Sequence, residues 1–183
     1  MLSRRQVLTA LLCCLAGLGA QAPLARGAAP TEFQVKAVFV FNFATFVQWP
    51  PEQADSSGPF SICLLGADEL ADHLEDAVSG EQVDGRPLQV RRYRNIEEVD
   101  DCRILFIGRG LQGQMGRVLG KVDGRRTLTV SDAEEAARNG VMIQLANEKS
   151  RVRLLINVDA AQSAGFTISS NLLRPAEIVR TSR

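Results

Sequence analysis

Cys102-Arg103-Ile104-Leu105-Phe106-Ile107-Gly108-Arg109-Gly110-Leu111-Gln112-Gly113 is the stretch on which the fold turns. Ile104–Ile107 is an unbroken apolar run of strand length. Such a run, without polar alternation, belongs to a strand covered on both faces. Glycines at 108, 110 and 113 interrupt it, and Gly113–Val122 continues with helical periodicity to a stop at Gly124. Strand, tight turn and helix in succession are the repeating unit of an α/β sheet.

The same unit recurs on either side. Upstream, Phe60–Gly66 reads as a second buried strand, and Asp68–Val78 as an amphipathic helix with Leu70, Leu74 and Val78 on one side. Pro87–Tyr93 alternates Leu88 and Val90 with Gln89 and Arg91, the pattern of an outer strand with one wet face. Ile96–Val99 has room for a single helical turn. Downstream, Thr127–Val130 is a strand, and Ser131 or Asp132 is expected to cap a helix Ala133–Arg138 that stops at Gly140. Val141–Leu145 and Arg151–Ile156 flank the polar turn Ala146–Ser150 and read as an antiparallel hairpin. Two short helices, Ala160–Ser163 and Leu172–Val179, are expected to follow. At the other end, Thr31 precedes an apolar helix Phe33–Trp49 that Pro50–Pro51 stops, and Pro51–Gly58 is a polar loop. Five of the eight phenylalanines lie in that helix, at 33, 39, 41, 43 and 46, which makes it either a core helix or a docking helix for a partner. The expected fold is α/β: a single domain with a mostly parallel sheet, helices on both faces and an antiparallel hairpin edge.

Residues 1–27 read as an address. Arg4–Arg5 precedes an apolar run from Val7 to Ala20, and small residues around Ala25–Arg26–Gly27 offer a cleavage point. The run is shorter than the ~20 residues a bilayer span takes. The paired arginines resemble a twin-arginine export signal. Cleavage leaves residues 28–183 and removes three arginines but no acid, so the balance of 21 cations and 21 acids becomes a net charge of −3. A weakly acidic surface of mixed sign argues against nucleic acid as a partner. Cys13 and Cys14 leave with the signal, and Leu12 stands where a lipoprotein signal needs a small residue. Cys63 and Cys102 remain, and a pair in an exported chain favours a disulfide. With strand order 2-1-3 their strands are neighbours ~4.8 Å apart, and a register offset of two or three residues then demands a bend.

One catalytic-looking constellation is present. Gly108–Gly113 matches G-x-G-x-x-G, and Asp132 follows at the end of the next strand, as in dinucleotide-binding domains. Against that reading, the motif follows the third strand of the unit rather than the first. Only about 50 residues remain after Asp132, too few for a substrate domain. Arg109 and Gln112 place bulky groups in a turn that has to be tight. The other reading is a turn whose glycines serve backbone geometry, with Asp132 as a helix cap. His73 is the sole histidine and no G-x-S-x-G motif is present, so neither a zinc site nor a Ser–His–Asp triad is expected. Glu97–Glu98, Asp100–Asp101 and Glu134–Glu135 lie in charged stretches typical of solvated faces. No catalytic, cofactor-binding or metal-binding residues are expected.

Further blocks carry a family resemblance. Phe33–Ala37 with Phe41–Pro50, Gly85–Leu88, Cys102–Ile107, Leu128–Asp132, Val152–Arg153, Ile156–Asn157, Ala160–Ala161, Ala164–Gly165 and Ser169–Leu173 resemble, in order, the blocks of the YfiR family. The resemblance implies a periplasmic, non-enzymatic α/β protein without cofactors. It further implies binding to the periplasmic part of a membrane diguanylate cyclase, which the protein holds inactive. An outer-membrane lipoprotein as a second partner, and a homodimer, are also implied. Pro175 and the pair Leu154–Leu155 depart from the family's pattern. Consecutive leucines in a regular strand cannot share one face, so one leaves the core. Leu154, Leu155, Ser169, Ser170, Asn171, Leu172 and Leu173 are therefore the expected partner surface. A small exported dinucleotide-binding oxidoreductase, or a solute-binding protein, is the alternative.

Overall fold

The computed structural model describes residues 29–50, 58–123, 126–149 and 151–180. The stretch expected to be a leader, nearly all of the expected loop Pro51–Gly58, and Gly124 lie outside them. Among the described residues the elements are α1 (Glu32–Phe46), β1 (Val47–Gln48), β2 (Phe60–Leu65), α2 (Asp68–Val78), β3 (Gln82–Val83), β4 (Arg86–Tyr93), β5 (Ile104–Ile107), α3 (Met115–Val122), β6 (Leu128–Ser131), β7 (Ile143–Glu148), β8 (Arg151–Asn157), α4 (Val158–Ser163), β9 (Thr167–Ile168), α5 (Ser170–Leu173) and β10 (Glu177–Val179).

An eight-stranded sheet in the order β10-β8-β7-β6-β5-β2-β4-β3 forms the centre. Strands β4, β2, β5, β6 and β7 run parallel, whereas β8 returns antiparallel to β7. The unbroken apolar runs are explained by coverage from both sides. Ile62, Leu64, Ile104 and Phe106 face a core built with α1, α2, α4 and α5, while Cys63, Leu65, Leu105 and Ile107 face α3. Strand β4 has one partly wet face, as its alternation requires.

Helix α1 starts on a capping box in which Thr31 Oγ1 accepts from the Gln34 amide and the Gln34 side chain accepts from the Thr31 amide. It ends three residues before the expected Trp49, because Val47–Gln48 turns extended and pairs antiparallel with β9. Two expectations are corrected. Ala133–Arg138 is a series of turns and not a helix: Glu135 has φ 56°, a left-handed conformation that a right-handed helix cannot pass through. Ser131 Oγ does accept from the Ala133 amide (3.1 Å), but no helix follows. Leu172–Val179 is not one helix either. Helix α5 stops at Leu173, and beyond Pro175 the chain runs parallel to β8 as β10. The hairpin β7–β8 thus has one further strand outside it.

Cys63 and Cys102 form a disulfide with a Cα–Cα separation of 5.8 Å. The register pairs Ile62 with Ile104, so Cys102 lies three positions out of step with Cys63. The bend that closes this offset is Asp101, at φ 42°, from which Cys102 folds onto the α3 face beside Cys63. Closing a loop over a sequence separation of 39 constrains the unfolded chain by about 4 kcal/mol. Protein purified without reductant and alkylated is expected to carry no label on Cys63 or Cys102, and its reduction to lower the melting temperature by about 10 °C. Label on both Cys63 and Cys102 would contradict the bridge.

Candidate functional site

In open α/β sheets ligands enter beyond the carboxyl ends of the strands, where the strand order reverses. Here that point lies between β2 and β5, and backbone closes it. A Cβ on Gly108 would stand 2.0 Å from the Gly66 carbonyl oxygen, so only glycine fits. The Gly108 amide donates to Leu65 O at 2.9 Å, and the Leu111 side chain lies over Gly66. Gly110 and Gly113 have no such neighbour: a Cβ on either meets nothing within 4 Å. Of the three motif glycines, steric need therefore falls on Gly108 alone. The segment after it, Arg109–Gln114, is a 3₁₀ turn rather than the start of an α-helix.

The remaining room at these strand ends holds a charge cluster. Lys36, in the wall of α1, is 1 % exposed, and its Nζ donates to Asp132 Oδ2 at 2.6 Å and also to Glu32 one turn earlier. Asp132 accepts the Arg109 backbone N–H at 2.8 Å through Oδ1 and Arg109 Nε at 3.1 Å through Oδ2. Arg109 also donates to Glu32 Oε1 at 2.7 Å, and Asn147 of β7 donates to the other Glu32 oxygen. Lys36 Nζ lies 5.5 Å from the centre of the Phe33 ring. Burial raises the pKa of Glu32, but hydrogen bonds from Lys36, Asn147 and Arg109 together with the Lys36 charge outweigh it and hold the carboxyl below its ordinary value of 4.5.

This arrangement answers the dinucleotide reading. The backbone N–H that would cradle a phosphate already binds an anion, the carboxylate of Asp132. That same carboxylate, expected on a ribose, is 5 % exposed and committed to two cations. Asp132 is a cap, though for the 3₁₀ turn at Arg109 and not for residues 133–138. Helical periodicity of the apolar residues does not mark Lys36 as buried. The signal available in sequence was Glu32 four residues earlier, the spacing of a helical ion pair. Among the described residues no group of three His, Cys, Asp or Glu is placed to hold a metal. A cleft of about 780 Å³ opens beyond the ends of α3 and α4, but Thr127 Oγ1 there donates to Cys102 O and Thr129 Oγ1 accepts from the Met142 amide.

The expected partner surface divides between two faces. Leu154 is 4 % exposed and Leu172 is buried, both in the core beneath α1 and α5. Leu155 is the leucine that leaves this core. It is half-buried on the opposite face, flanked in register by Gln144 and Glu177. Ser169 caps α5, its Oγ accepting from the Asn171 amide at 3.3 Å. Ser170 and Asn171 are exposed and Leu173 is half-buried. Beside them Ile178 of β10 is 50 % exposed.

Fold and site together define an α/β domain with a doubly covered sheet and a closed strand-end crevice. The chain belongs to the YfiR/HmsC-like family, whose model matches residues 33–177. No curated protein matches it. A conserved domain protein from Vibrio cholerae O1 biovar eltor is similar in structure, with a TM-score of 0.58 at 12 % identity over 81 % of this chain and 60 % of that one. The ABC domain from Streptococcus pneumonia, solved in complex with L-Trp, is similar with a TM-score of 0.50 at 12 % identity over 65 % of this chain and 55 % of that one. The chain thus spans less than two thirds of either, and both likenesses concern the fold. Among the described residues no helix is long and apolar enough to cross a membrane.

Two outcomes follow from the cluster. Lys36→Met leaves Asp132 buried with one partner fewer and is expected to destabilise the protein by about 3–5 kcal/mol in urea unfolding. Because the Glu32 carboxyl is held below 4.5, folded protein binds fewer protons there than unfolded protein, so this contribution is present above that pH and lost as pH falls through the folded value. The melting-temperature gap between wild type and Glu32→Gln is therefore expected to be widest near neutrality and to close in acid. A gap that stays constant with pH would contradict the assignment.

Proposed function

We propose that this protein is a periplasmic regulator that binds the periplasmic part of an inner-membrane diguanylate cyclase and restrains it, lowering cyclic di-GMP. The observation that carries the reading is membership of the YfiR/HmsC-like family over residues 33–177. The export signal expected from the sequence of residues 1–27 supports the compartment. The closed crevice and the self-satisfied Asp132 support action through a surface rather than through bound cofactor. In this reading the partner wraps the β10 edge of the sheet, meeting Ser170, Asn171 and Leu173 on the α5 face and Leu155 on the opposite face, while Leu154, Ser169 and Leu172 hold the framework between them. Sequestration by an outer-membrane lipoprotein and homodimer formation belong to the same proposal.

Deleting the gene is expected to raise cellular cyclic di-GMP and biofilm. Complementation with Leu155→Asp is expected to leave cyclic di-GMP high although the protein accumulates and melts like wild type. Leu154→Asp, which buries a charge in the core, is expected not to fold. Unchanged cyclic di-GMP on deletion, in cells that express the protein, would overturn the proposal. Calorimetry with NAD(H) and NADP(H) separates the oxidoreductase alternative: no heat of binding is expected at micromolar cofactor.

A further inference from the structure

The outer side of α1 is apolar where a surface helix is ordinarily polar. Val38 is 53 % exposed, and Val35 and Phe39 are half-buried beside it. With Ala77 of α2 they floor a groove of about 690 Å³ between the two helices. Single exposed apolar residues need no explanation, but a contiguous apolar floor with a polar rim marks a binding surface.

The charge around the groove selects its occupant. Helix α2 carries Asp68, Glu69, Asp72, Glu75 and Asp76 and no lysine or arginine. Arg92 pairs with Asp72 and Glu75 on the side of α2 towards β4. Asp76 lines the groove beside His73 and Ala77 and makes no ion pair among the described residues, and Glu69, also without an ion pair there, stands one helical turn before His73. The other wall offers only neutral groups to the groove, Gln34 and Asn42. The cation of α1, Lys36, is buried on its far side against Asp132. The rim is thus anionic. Two copies meeting through this face would oppose acid to acid, and an anionic lipid surface would be repelled.

We propose that the α1–α2 groove docks an amphipathic helix of a partner protein, one whose apolar stripe is flanked by lysine or arginine. The stripe lies on Val35, Val38, Phe39 and Ala77, and the basic flank faces Glu69 and Asp76. This is helix-in-groove recognition, with side chains at i, i+3, i+4 and i+7 as anchors. The site is separate from Leu155, and the inference holds whatever enzyme the protein regulates.

The test uses the mature protein and two fluorescent helical peptides of about 18 residues with the same leucine stripe, one flanked by lysine and the other by glutamate. The lysine peptide is expected to bind saturably and the glutamate peptide not at all. Val38→Asp and Asp76→Lys are each expected to weaken the lysine peptide about tenfold or more with no change in melting temperature, both residues being exposed. Lys121→Glu, on α3 of the opposite face, is expected to leave it unchanged. Equal binding of both peptides, or lysine-peptide binding indifferent to Val38→Asp, would overturn the proposal. So would self-association of the protein that Val38→Asp abolishes, which assigns the groove to a second copy, or co-sedimentation with phosphatidylglycerol vesicles that the same change abolishes.

Discussion

An ammonium buried to 1 % exposure needs counter-charge within hydrogen-bond reach, and Lys36 sets what stands around it. It recruits Glu32 from its own helix and Asp132 from the end of β6. Asp132 in turn takes the Arg109 amide at the end of β5, and Glu32 takes Asn147 of β7. One buried cation therefore ties α1 to three strands at the carboxyl edge of the sheet. With the charge seated inward, the opposite side of α1 is left to face outward with its valines.

The strand ends are closed by backbone in this protein. Gly66 and Gly108 approach until no Cβ fits between them, and Leu111 fills what remains above. A dinucleotide would have to displace a carboxylate already held by two cations. What the fold offers instead is a stable sheet, bridged by Cys63 and Cys102, that presents helices and an edge to other molecules. That suits a regulator, whose work is to be bound and released.

Much of this was legible in the sequence because burial on both faces leaves a plain mark. Phe60–Gly66 and Ile104–Ile107 are unbroken apolar runs, and their adjacency made the disulfide an expectation that the 5.8 Å separation bears out. Local signals failed where tertiary contacts decide. Residues 133–138 have helical composition, yet Glu135 sits at φ 56° to bring Val141 back to the Ala136 carbonyl. Ile178 and Val179 looked like the end of a helix until β8 offered a free edge. Lys36 was beyond reach of pattern alone, because its main partner lies 96 residues away. The same long-range contact ties the acid of a correct motif match, Gly108–Gly113 with Asp132, into a buried ion cluster.

The central claim is that the protein works through its faces and not through its strand-end turn. Hydrogen–deuterium exchange of residues 28–183, alone and saturated with the purified periplasmic part of the proposed cyclase partner, tests it most directly. The account predicts slowed exchange in residues 169–179, along α5 and the edge strand β10, with the turn Arg109–Gln114 unchanged. Protection confined to that turn, or no protection anywhere at saturating partner, would contradict it.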